Sequence, residues 1–195
     1  MSLKTRRRGT ELEAAILDAA WEILVERGYS GFTYEAIAAL AGTSRPVLYR
    51  HYPQREDLLL AAVKKHWWSQ PIPVPDTGSL REDAIGYLTN AVDGRWRVMT
   101  FIGVQLMEYF RETGTSFADL RDKLRPPGQV SGFETMVARA VERGELTAAT
   151  RSPRVVNLPF DLLRHDLFMT MRQVSPESIA EIVDAVWLPL LGARP

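Results

Sequence analysis

Between Ser44 and Tyr52 the chain gathers Ser44, Arg45, Tyr49, Arg50, His51 and Tyr52 on the face of a short helix that remains once Val47 and Leu48 turn inward. These are hydrogen-bond donors and aromatic rings with no carboxylate among them, a set suited to phosphate oxygens and base edges. The stretch around them is one-sided too: from Ala36 to Arg55 there are three arginines, Arg45, Arg50 and Arg55, and no acid. A second basic run, Lys4, Arg6, Arg7 and Arg8, precedes the first helix, where an arm can reach a neighbouring groove. The plainer reading of that run is a solubilising tail.

Other chemistry has little to stand on. With no cysteine there is no thiolate metal site, disulfide or cysteine nucleophile. His66 and His165 lack the spacing of a metal site and read as surface or core histidines. His165 and Asp166 are adjacent, so on a helix they point about 100° apart. Neither a glycine-rich phosphate loop nor a nucleophile elbow is present. The expectation is a protein that is not an enzyme and uses no metal or cofactor.

The elements that must position the Ser44–Tyr52 face are short helices. Leu12, Ala15, Ile16, Ala19, Ala20, Ile23 and Leu24 recur at helical spacing through Glu11–Arg27, and Gly28 offers a stop. Thr33 is a good N-cap for a helix reaching Ala41. Gly42 ends it, and Ser44 can cap a third helix over about Arg45–His51. Pro46 falls in that helix's first turn, where the missing N–H has no partner to lose. Pro53 closes the segment and a fourth helix runs from about Gln54 to Trp68. A small residue (Ala38), a glycine turn (Gly42) and an apolar residue on the second helix (Leu48) are what a helix-turn-helix requires.

Beyond this, Ser69–Ser79 carries three prolines at alternate positions and a glycine, a break in the pattern. Helices are predicted near 80–94, 97–113, 116–124, 129–143, 154–173 and 176–191, and no strand-like alternation of useful length occurs. The fold is expected to be all-α. Residues 1–68 form a DNA-binding module, 69–79 a linker, and 80–195 a ligand-binding and dimerisation domain. The net charge is zero, but the positive charge is local to the module, so neutrality is no objection to nucleic acid. No window approaches 18 apolar residues and no secretory signal is visible, so a cytoplasmic protein without membrane contact is expected.

The run Ile16 to Tyr29 (ILDAAWEILVERGY) is similar to the first helix of TetR-family regulators. Phe32 to Ser44 (FTYEAIAALAGTS) resembles their second helix and turn, and Arg45 to Tyr52 (RPVLYRHY) with Arg55 to Leu58 (REDL) resembles their recognition helix and the helix after it. The match spans about residues 10–65; Ala138 to Leu146 (ARAVERGEL) resembles one C-terminal type in the family. The resemblance implies that Thr33 meets a phosphate, Tyr49 and Tyr52 the DNA backbone, and His51 and Arg55 further phosphates. Arg45, Val47, Thr43 and Ser44 would face base edges. Gln54 stands where the family commonly has a serine cap.

For the second domain, Tyr87, Trp96, Met99, Met107, Phe110, Phe133 and Met136 read first as core. The resemblance implies a small-molecule pocket among such residues. The last two helices carry Leu162, Leu163, Leu167, Val183, Val186, Trp187 and Leu190, more apolar residues than one helical layer needs. In the family such a pair builds a four-helix bundle with a second subunit, and a single helix-turn-helix makes too few contacts for specific binding. The implied function is a transcriptional regulator: a homodimeric repressor released from a pseudo-palindromic operator by a small-molecule effector. The alternatives are a helical small-molecule-binding protein, or a family member whose second domain holds no ligand.

Overall fold

A computed structural model describes residues 9–68, 71–125 and 128–192, with side chains for all of these except 67, 68 and 95–103. The regular elements among the described residues are all helical, with no strand among them. The helices are α1 (Thr10–Gly31), α2 (Tyr34–Ala41), α3 (Arg45–His51), α4 (Arg55–Trp68), α5 (Leu80–Gln105), α6 (Met107–Thr113), α7 (Phe117–Leu124), α8 (Gly132–Glu142), α9 (Pro153–Thr170) and α10 (Pro176–Glu181). A π-helical turn over Ile182–Trp187 then leads into α11 (Leu188–Leu191). No helix among the described residues is long and apolar enough to cross a membrane.

The chain forms two compact units, Met1–Gln70 with Phe101–Arg125, and Pro71–Thr100 with Pro126–Pro195. Residues 101–125, expected within the second domain, group instead with the N-terminal helices. The cause is specific: Tyr109 of α6 is fully buried, donates its hydroxyl to Glu56 of α4 at 2.7 Å and meets Tyr29 edge-on at 5.3 Å.

In the first unit, the apolar face of α1 (Ile16, Ala20, Ile23 and Leu24) lies buried, as do Ile37 of α2, Leu48 of α3 and Leu58, Leu59, Ala62 and Val63 of α4. The helical path of α1 is interrupted at Gly28, with φ 66° and ψ −172°, a backbone region essentially reserved for glycine. An added Cβ there would stand 2.5 Å from the Gln105 side-chain oxygen, the end of a flexible side chain that can turn aside, so it is the backbone conformation that requires glycine.

The second unit is knitted by one aromatic cluster, and capping boxes open one helix in each unit. Ser116 of the first unit and Ser131 of the second each form a capping box, with Asp119 and Glu134 respectively. Tyr87, Phe133 and Phe160 pack edge-on with centroids 5.3–5.5 Å apart, and Phe133 also meets Trp187 at 5.0 Å. Pro159 sits inside α9 and cannot donate to the carbonyl of Val155, one turn earlier. The Trp187 indole N–H donates to that carbonyl at 3.0 Å, so the group freed by proline is satisfied from the last helical segment. The π-helical turn itself precedes Pro189, whose ring likewise cannot continue regular bonding.

The Pro-rich stretch is held by a buried carboxylate. Asp83 of α5 is fully inaccessible and accepts from the Thr77 amide (2.6 Å) and hydroxyl (2.7 Å). Arg143 reaches it at 3.5 Å while also pairing with Asp76 and Glu145.

Candidate nucleic-acid interface

The helix-turn-helix is assembled from local rules. The Thr33 hydroxyl accepts from the Ala36 amide at 3.2 Å, capping α2. Gly42 adopts the left-handed conformation (φ 69°, ψ 35°), turning the chain so that the Thr43 amide donates back to the Ala38 carbonyl at 3.0 Å. Leu48 then drops fully into the joint against buried Ile37, Ala38 and Ala41. Beyond α3, the Gln54 amide donates to the Asp57 carboxylate at 3.4 Å, so the start of α4 is capped from within despite the weak Gln54 side chain.

On this frame the expected side chains stand as follows. Ser44, Arg45, Tyr49, Arg50 and His51 are exposed, while Thr33, Thr43, Val47 and Tyr52 are half-buried. The side-chain cap expected of Ser44 is not formed: it stands at the N-cap of α3 without a capping bond, which leaves its hydroxyl uncommitted to that helix. The Tyr49 ring packs on Tyr34 at 4.3 Å with 45 % of the residue accessible, so the phenol is held upright and still presented outward. Arg6, Arg7 and Arg8 lie outside the described residues.

Two candidates make contacts that the sequence did not announce. The guanidinium of Arg55 lies 3.9 Å over the Tyr29 ring, donates to the Tyr29 hydroxyl at 3.1 Å and pairs with Glu112 at 2.9 Å. Arg55 thus ties α1, α4 and α6 together rather than standing open. The Tyr52 hydroxyl donates to Glu13 of α1 at 3.4 Å, and burial, with the Glu13 charge second, pushes its pKa up to about 12. It is therefore a neutral donor at any physiological pH.

Sequence reasoning missed three residues here. Tyr34 is buried and donates its hydroxyl to the Tyr52 carbonyl at 2.6 Å, fastening the end of α3 to α2. Glu13 engages Tyr52. Glu35 pairs with Arg45 at 2.7 Å, which puts a carboxylate beside a face that looked free of acid. The two residues are ten apart in sequence, and only the folding-over of α2 on α3 brings them together.

The remaining candidates divide. Tyr87, Phe133 and Met136 are buried in the second unit, Tyr87 and Phe133 within its aromatic cluster. Phe110 packs on Tyr109 and Phe117 in the first unit, and Met107 there is largely exposed. The side chains of Trp96 and Met99 lie outside the described residues. Of the expected interface residues, Leu163, Leu167, Val183 and Trp187 are buried within the single chain, where they serve its own core. Leu162 and Val186 are half-buried and Leu190 is exposed, as are Phe168, Met169 and Met171 at the end of α9. Among the described residues no cluster of three or more His, Asp or Glu side chains could hold a metal ion.

Comparison with known proteins agrees with this geometry. Residues 16–62 match the model of bacterial regulatory proteins of the tetR family, and residues 74–186 that of the tetracyclin repressor-like C-terminal domain. A relative from Mycobacteroides abscessus, described as the DNA-binding transcriptional repressor TetR, is 30 % identical over 189 residues, covering 96 % of this chain and 98 % of that one. Among solved structures, the TetR family transcription regulator SCO0332 is 25 % identical, with a TM-score of 0.56 over 95 % of this chain and 100 % of that one. The flavonoid-responsive regulator FrrA shares the fold, with 20 % identity and a TM-score of 0.65 over 95 % of this chain and 97 % of that one. With both halves matched, and helix-turn-helix and C-terminal helices in the expected order, the chain belongs to the TetR family of DNA-binding transcriptional regulators.

Proposed function

We propose that the chain is a cytoplasmic repressor that binds a pseudo-palindromic operator as a homodimer and leaves it when a small molecule occupies the second unit. The observation that carries the reading is the exposed face of α3, where Ser44, Arg45, Tyr49, Arg50 and His51 stand together. The half-buried Thr33, Thr43, Val47 and Tyr52 flank it, and the whole is presented by the Gly42 turn. Arg45 supplies a fork for base edges. Thr33, Tyr49 and His51 supply donors for phosphates, with Arg6, Arg7 and Arg8 as an arm, and Tyr52 could join them only by releasing its hydroxyl from Glu13. Arg55 takes a supporting part, because its guanidinium is engaged by Tyr29 and Glu112.

Two copies would place their recognition helices about 34–36 Å apart in successive major grooves. Leu162, Val186 and Leu190, and Phe168 and Met169 at the end of α9, are accessible apolar side chains available for pairing. Effector and operator would be reciprocally coupled, typically by about 1–3 kcal/mol. No catalytic role is assigned to any residue.

The test is titration of the full-length protein with DNA from upstream of its own gene, across a salt series. The reading expects binding in dimer units, with log affinity falling linearly as log salt rises. Affinity that is absent at low salt, or indifferent to salt, would contradict it.

A further inference from the structure

Glu35 is the second residue of α2 and Arg45 the first of α3, and their charged groups meet at 2.7 Å across the turn. Both side chains are more than half exposed, at 59 % and 53 %. A pair this accessible contributes little to stability. The joint is held instead by buried Leu48, Ile37, Ala38 and Ala41 and by the Gly42 turn. Folding stability therefore does not depend on the pair. The pair does have a cost for the function proposed above, on which this inference rests: a carboxylate sits on the face that would meet polyanionic DNA, and a dimer would carry two.

We infer that Glu35 is a positioning residue for Arg45, one that directs its guanidinium to a base edge and away from the phosphates. Arginine presents five N–H donors in a rigid plane. Glu35 occupies Nη1. The Nε and Nη2 edge of the fork can then address the O6 and N7 acceptors of a guanine in the major groove. A long arginine without such a partner has many phosphate oxygens within reach, and those carry no sequence information. The same carboxylate repels phosphates, so it lowers sequence-independent affinity, which is almost wholly electrostatic. Both effects favour discrimination at the expense of raw affinity.

The experiment compares wild type with Glu35→Gln, Arg45→Ala, Arg45→Lys and the Glu35→Gln/Arg45→Ala double variant. Each is used as full-length protein in selection from a randomised duplex pool, and then titrated against the enriched duplex and an unrelated one. Wild type should show a guanine preference at one base pair per half-site, which Arg45→Ala abolishes and Arg45→Lys, whose ammonium still reaches guanine acceptors without a planar fork, only reduces. Glu35→Gln should weaken that preference about tenfold at that pair alone and raise affinity for the unrelated duplex. In the double variant the Glu35 change should leave the base profile of Arg45→Ala unaltered. A merely structural Glu35 would lower affinity for both duplexes together and reduce the melting temperature. A Glu35→Gln base profile identical to wild type, with Arg45→Ala altered, would overturn the inference and leave the DNA-binding reading standing. Failure of wild type to enrich any duplex would overturn both.

Discussion

The Tyr34 hydroxyl donates a 2.6 Å hydrogen bond to the main-chain carbonyl of Tyr52, eighteen residues later, and so closes the C-terminal end of α3 against α2. The same ring backs the exposed phenol of Tyr49 at 4.3 Å. Tyr34→Phe keeps the ring and deletes the bond. It should cost about 1 kcal/mol in denaturant unfolding and weaken operator binding severalfold, since the recognition helix loses its end anchor. Unchanged stability would show that the bond contributes nothing.

Gly28 carries a second, independent constraint. Gly28→Ala must place a side chain at φ 66°, ψ −172° and against the Gln105 oxygen. A loss of about 1–3 kcal/mol is expected, measured by thermal unfolding. Gly28→Ala with Gln105→Ala should recover the steric part only, because the backbone conformation stays unfavourable. Full recovery would mean that the conformation itself is unstrained.

His66 of α4 stacks on Trp21 of α1 at 4.8 Å and lies 3.2 Å from Asp18. Burial outweighs the attraction of Asp18, so the imidazole's pKa is lowered from its ordinary 6.5. Between the folded value and 6.5 the unfolded chain binds a proton that the folded chain does not. The stabilisation is thus present above 6.5 and is lost as pH falls from there through the folded value. The melting temperature of wild type should drop between pH 7.5 and 5.5 by more than that of His66→Gln. Asp18 and Glu56, both held below their ordinary values mainly by hydrogen bonds from Lys65 and Lys123, act only at lower pH. Parallel curves would contradict this account of His66.

Asp83 is buried and serves Thr77 and Arg143. Asp83→Ala leaves the Thr77 amide without its acceptor and should destabilise by about 2–3 kcal/mol. Asp83→Asn, which retains an acceptor oxygen, should cost less. Equal losses would mean that the charge, not the acceptor, is what matters.

What the sequence made legible was what short-range physics controls. Thr33 caps, Gly42 turns left-handed, Leu48 fills the joint, and α3 runs Arg45–His51 as its pattern predicts. The gap predicted around Gly94 is absent, because one glycine costs a helix only about 1 kcal/mol, and α5 runs from Leu80 to Gln105. The break falls instead at Leu106, which carries no breaker residue. Pairings between distant segments, such as Arg55 with Glu112 or Trp187 with the Val155 carbonyl, leave no trace in local periodicity. Trp187 therefore looked like a spare apolar residue for a partner subunit, when an intrahelical proline had already given it an acceptor within its own chain. Glu35 was invisible for the same reason: nothing in a linear reading says that it meets Arg45.

The most direct test of the central claim, that the exposed face of α3 reads DNA, is the dissociation constant of wild type, Arg45→Ala and Tyr49→Ala for the duplex that wild type selects, at fixed salt. Circular dichroism should show all three equally folded, since both side chains are exposed. The account predicts a loss of about tenfold or more for Arg45→Ala and a smaller loss for Tyr49→Ala, greater for the selected duplex than for an unrelated one in the arginine case alone. Both variants binding as tightly as wild type would place the DNA-binding surface elsewhere.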